Sequence, residues 1–155
     1  MPTPKPLRDR LVRRHLRFGW WSLLIFLALG LLLEALHGFK IGGYLDASQS
    51  SRRLMWTLAH AHGTLLSILN IIFACTLGEA SAWSSSSLKL ASRCWITGSL
   101  LLPGGFFLSG VVTYGGDPGA AIGLVAVGGL VLLLAVFLTA RGFSAALASK
   151  PDASD

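Results

Sequence analysis

Four long apolar stretches, separated by short polar ones, dominate the chain. They cover residues 18–36, 55–77, 90–112 and 120–140. Each has about 19–23 residues, the length that carries an α-helix across a hydrocarbon core of about 30 Å. Lipid leaves no partner for an unpaired backbone group, and helices bond theirs internally. The pattern therefore predicts an all-α integral membrane protein, an antiparallel bundle of four transmembrane helices joined by short connections. Trp20 and Trp21, Trp56, Trp83 and Trp95 fall near the ends of the runs, where an interfacial aromatic belt belongs. Pro103-Gly104-Gly105 lies midway along the third run and predicts a kink. Gly105 with Ser109 and Gly119 with Gly123 are small-xxx-small pairs suited to close helix approach. Gly115-Gly116-Asp117-Pro118-Gly119 reads as a tight turn between the third and fourth spans, with Asp117 as an Asx-type turn former. The fourth run has no ionisable side chain before Arg141, which marks it as structural.

Composition agrees. The chain has 155 residues, of which 53% are hydrophobic and 13% charged, against about 25% charged in soluble domains. The net charge of +6 does not point to nucleic acid, because of where the charge lies. Lys5, Arg8, Arg10, Arg13, Arg14 and Arg17 all precede the first apolar run, without interleaved aromatic readout residues. They read as a positive-inside anchor in contact with anionic lipid. Domain organisation follows: a basic cytoplasmic segment 1–17, a four-helix domain 18–141 and a cytoplasmic tail 142–155. Pro2, Pro4 and Pro6 suggest disorder at the start, and Leu7, Leu11 and Leu16 a helical turn or two at the inner surface. Ala28-Leu29-Gly30 resembles a signal cleavage site, but three leucines follow, so the run reads as retained.

With four spans both termini share a side. That side carries ten of the 13 basic residues, and Lys40, Arg52 and Arg53 lie opposite. The expected location is a bacterial inner membrane with both termini cytoplasmic. Cys75 and Cys94 form no CxxC, haem-attachment or zinc spacing and read as small helix residues.

Orientation then places the polar groups in depth. Glu34 and His37 fall near the outer end of span one, His60 and His62 near the outer start of span two, and Tyr114 and Asp117 just beyond span three. Glu34 and His37 are three apart and share a helix face. In span two His60 aligns with Gly63, Thr64, Ser67, Asn70 and Ala74, a small, polar stripe that faces other helices. Ser67 and Asn70 are expected to make interhelical bonds. His62 aligns instead with Leu66, Leu69 and Phe73, a side expected to face lipid or a partner. A carboxylate near mid-bilayer costs about 2.5–3.5 kcal/mol, so Glu34 needs a partner: His37, His60, Arg52 or Arg53.

Three chemistries suit such a cluster. Glu34, His37 and His60 form a two-His, one-carboxylate set for a single transition-metal ion. His37 and His60 could instead be axial ligands of a haem b. Alternatively Glu34 and the histidines relay protons or ions. A purely structural Glu–His–Arg cluster is the plain alternative.

Leu58-Ala59-His60-Ala61-His62-Gly63 resembles the histidine-bearing helix starts of haem–copper oxidase core subunits. Glu34 to Lys40, Arg52 to Gly63 and Gly116-Asp117-Pro118-Gly119 together are similar to uncharacterised four-helix bacterial membrane proteins. These resemblances imply a membrane bundle and, for the first, haem or copper, but no residue roles. The functional expectation is an accessory subunit of a respiratory complex that binds haem or a metal, with other membrane subunits or a second copy as partners. The competing expectations are a small proton or ion conductor and a purely structural interaction subunit. No P-loop, nucleotide fingerprint or Ser-His-Asp set speaks for an enzyme.

Overall fold

In the computed structural model, residues 4–46, 48, 50–79 and 83–148 are described. The expected disorder around Pro2 and the tail beyond Ala148, Lys150 included, lie outside them. Five α-helices carry the fold: α1 (Lys5–Gly38), α2 (Gly42–Leu45), α3 (Ser50–Thr76), α4 (Ser85–Val111) and α5 (Gly123–Ala148). α1 and α3–α5 are long and apolar enough to cross a membrane. α4 runs unbroken through Pro103.

The basic segment is no separate element. α1 begins after Pro4, with a proline in its first turn where the missing N–H is not needed, and continues through the arginines for 34 residues, about 51 Å. The reason is a buried stripe in register. Leu11, His15 and Gly19 follow at i, i+4 and i+8, all buried, so the face that packs on α3 extends below the apolar run. Leu11 joins a core of Phe73, Leu77, Trp83, Leu88 and Trp95, and Arg8 Nη1 donates to the Gly78 carbonyl at 3.1 Å.

Contacts give the order α1, α3, α4, α5, each helix packed mainly on the next. It is an open row, with α3 and α4 inside. Neighbours run antiparallel, as their contacts show. Along α1 and α3, Gly19 meets Ile71, Phe26 meets Gly63 and Gly30 meets His60. Each large side chain lies over a glycine of the other helix, which brings the backbones close. Across α3 and α4, Trp56 lies against Gly110, Asn70 bonds Ser99 and Phe73 packs on Trp95. Between α4 and α5, Gly98 faces Leu132, Gly105 faces Val125 and Gly128 abuts the backbone at Leu102. Trp95 Nε1 donates to Thr139 Oγ1 at 3.0 Å.

One of the two small-residue pairs departs from expectation. Gly105 and Ser109 are buried, but Gly119 and Gly123 make no helix seam. Gly119 lies in the connection, its N–H on the Ser109 carbonyl, and Gly123 has open space beside it. Gly128 is the residue that lets α5 approach. The turn before α5 is a two-residue hairpin, β1 (Thr113–Tyr114) paired with β2 (Asp117–Pro118). Gly115 and Gly116 have φ of 57° and 96°, the positive values a type I′ turn needs. The glycines make the turn, and Asp117 pairs opposite Tyr114 instead of bonding as an Asx residue.

Candidate functional site

Glu34, His37 and His60 line one cleft of about 320 Å³, together with Gly30, Leu33, Tyr44 and Thr57. The α1–α3 seam positions His60. Its ring lies over Gly30, and its Nδ1 donates to the Phe26 carbonyl at 2.7 Å, which leaves Nε2 to accept a proton or bond. Glu34, about 100° round from Leu33, is off the seam and exposed, as is His37. Glu34 has no hydrogen bond or ion pair among the described residues. Nor does any group of three His, Cys, Asp or Glu among them stand close enough to hold a metal ion.

The arginines expected beside Glu34 are committed elsewhere. Arg52 Nε donates to the Gly110 carbonyl at 2.9 Å and Nη2 to Val111 at 3.5 Å, while its guanidinium lies 5.8 Å from the Trp56 ring centroid. Arg53 Nη1 donates to the carbonyls of Tyr44 at 2.8 Å and Asp46 at 2.7 Å. They cap the C-terminal ends of α4 and α2, where orphan carbonyls and the helix dipole favour a cation. Asp46 Oδ1 accepts the Ser48 amide at 2.9 Å. That backbone bond is the main reason the carboxyl lies below its ordinary value, with Ser48's side chain and Arg53 adding to it. Tyr114 and Asp117 are exposed on the hairpin and do not line the cleft.

His62 does not face away. Its ring lies 5.1 Å from that of Phe106 on α4, and Leu66 and Phe73 on the same side are buried. An inner helix has two packed faces, so a single-face reading misplaces the second.

The largest polar cluster is at the other end and includes the one histidine that sequence reasoning passed over. His15 Nδ1 donates to Asn70 Oδ1 at 2.8 Å, and Nε2 accepts from Ser92 Oγ at 2.8 Å. Asn70 Nδ2 donates to Ser99 Oγ and to the Leu66 carbonyl, both at 2.8 Å. Because Asn70 Oδ1 only accepts, the imidazole carries its proton on Nδ1. Three helices meet here. One turn further, Ser67 Oγ donates to Ser22 Oγ at 2.8 Å, a further link from α3 to α1. Ser92–His15–Asn70 has the connectivity of a nucleophile, base and orienting group. All three are 0% exposed, so no substrate reaches Ser92 and the set acts as a joint. Flanked by arginines, His15 reads as part of a solvated anchor; only its i, i+4 spacing with Leu11 and Gly19 marks it.

Comparison with protein families, curated proteins and solved structures finds no match to the chain.

Gly30→Ala tests the seat of His60. A Cβ there would lie 2.2 Å from Cε1 and 2.5 Å from Nδ1 of the ring, so the imidazole must swing away and release the Phe26 carbonyl. The expected cost is about 1–3 kcal/mol, with a changed His60 imidazole signal in NMR. An unchanged signal would rule this packing out.

Proposed function

We propose that the chain spans a bacterial inner membrane four times, with both termini cytoplasmic, and serves there as a non-catalytic accessory or interaction subunit. The observation that carries this is the apolar surface of the two outer helices. On α1, Trp21 and Leu31 are 63% and 73% exposed; on α5, Leu130 and Leu133 are 67% and 68% exposed. Such faces need lipid or another membrane helix. The arginine-rich end of α1 supplies the positive side. Interior polar groups that are closed to substrate favour an interaction role over catalysis. Alkaline carbonate should leave the protein in the membrane fraction, and a reporter fused after Asp155 should be active in the cytoplasm. Extraction into the soluble fraction, or a reporter active only in the periplasm, would refute this placement.

A second reading, proton or ion relay, has its own support. His60, Thr64, Ser67 and Asn70 follow one face of α3 from the cleft toward His15. Thr64 Oγ1 is buried without a hydrogen-bond partner among the described residues. Relay predicts pH-dependent flux in liposomes that falls at least about tenfold in Glu34→Gln and in His60→Ala. Wild-type liposomes that show no flux between mildly acidic and mildly alkaline pH would discard it.

A further inference from the structure

The open row leaves a cleft of about 870 Å³ between α1 and α4, near the N-terminal end of α1. Its wall on α1 is one continuous helix face at i, i+3, i+4 spacing: Arg10, Arg13, Arg14 and Arg17, then Phe18, Trp21 and Ile25. Ile96 and Leu100 of α4 form the opposite side. Charge is confined to one end of the cleft and apolar surface to the other.

The four arginines are also unspent. Arg8, Arg52 and Arg53 each donate to backbone carbonyls. Arg10, Arg13, Arg14 and Arg17 make no hydrogen bond, ion pair or ring contact among the described residues, and no carboxylate lines the cleft. Guanidinium forks match phosphate oxygens bidentately. Four of them above an apolar slot are matched by an amphiphile with an anionic head, not by a nucleic acid, which would leave the slot empty.

We propose that this cleft holds an anionic phospholipid with two phosphodiesters, of the cardiolipin kind. The arginines take its phosphates, and an acyl chain lies along Phe18, Trp21, Ile25, Ile96 and Leu100. Basic recesses between membrane helices on the cytoplasmic side suit such headgroups. Two phosphates balance the four cations better than one. The proposal rests on the membrane placement above.

The test uses the full chain in detergent micelles, titrated with cardiolipin, phosphatidylglycerol or phosphatidylcholine and read by native mass spectrometry. Cardiolipin should be retained at least about tenfold better than phosphatidylcholine. R13Q/R17Q, at exposed positions, should lower retention about 25-fold, roughly fivefold per arginine, with helicity unchanged. R13K/R17K should keep most of it. Lipid brominated in its chains should quench tryptophan emission, and W21F should remove that quenching. Equal retention of the three lipids would overturn the proposal, as would undiminished binding by R13Q/R17Q. Pyrophosphate binding without chain-dependent quenching would reduce the site to a phosphate site and overturn the lipid. Carbonate extraction separates the two failures: a protein that washes off sinks the placement, and a retained protein without lipid preference sinks only this proposal.

Discussion

Asn70→Ala should lower the stability of the folded chain by about 2–4 kcal/mol, the largest loss expected from a single polar side chain here. Asn70 is 0% exposed, so water cannot replace what it gives up. The substitution strips His15 Nδ1–H of its acceptor and Ser99 Oγ of a donor, and a buried group left unpaired costs about 1–3 kcal/mol. Interhelical polar bonds between membrane helices average nearer 0.6 kcal/mol, up to about 1.7, so the orphaned groups and the void dominate the total. Ser92→Ala should cost less, about 1 kcal/mol, since it unpairs only His15 Nε2. Unfolding by SDS in mixed micelles, followed by helicity, measures both. If Asn70→Ala is no worse than Ser92→Ala, the joint is not where the bundle is held.

Gly128→Ala should separate α5 from α4, while Gly129→Ala one residue on should not. A Cβ on Gly128 would lie 2.7 Å from Leu102 N and 3.1 Å from Leu101 C. These are backbone atoms of a helix and cannot turn aside as a side chain can. α5 must move outward, at about 1–3 kcal/mol for the overpacking, and the bond from Trp95 Nε1 to Thr139 Oγ1 goes with it. Gly129 has nothing within 4 Å, so alanine there adds helix propensity, up to about 1 kcal/mol. Opposite signs are expected in the same unfolding assay, and equal effects would refute the seam.

Much of the fold is legible without coordinates because its causes are local. Each apolar run of about 20 residues forms a helix wherever it is placed, and the four runs underlie α1, α3, α4 and α5, although α1 begins 13 residues before its run and α5 ends eight residues after its own. Gly115-Gly116 announces a turn because few other residues tolerate two successive positive φ values. The shared depth of Glu34, His37 and His60 is also readable, from the direction of each span, and all three line one cleft.

What the cleft contains is less legible. Periodicity says which residues share a face but not which helix covers it. Arg52 and Arg53 read as partners for Glu34, yet they cap the ends of α4 and α2, because helix ends present carbonyls that need donors. His62 reads as outward, yet it meets Phe106, because α3 is packed on two sides.

The sequence by itself determined four apolar helices, the tight turn before the last of them and the common level of Glu34, His37 and His60, because hydropathy and turn chemistry act over a few residues. Only the tertiary structure decided that the helices stand in an open row and that His15 meets Asn70 and Ser92, 55 and 77 residues further along the chain. It also decided that four arginines border an open cleft. Such pairings depend on which helix packs beside which, and that choice is made by steric fit between glycines and large side chains on different helices.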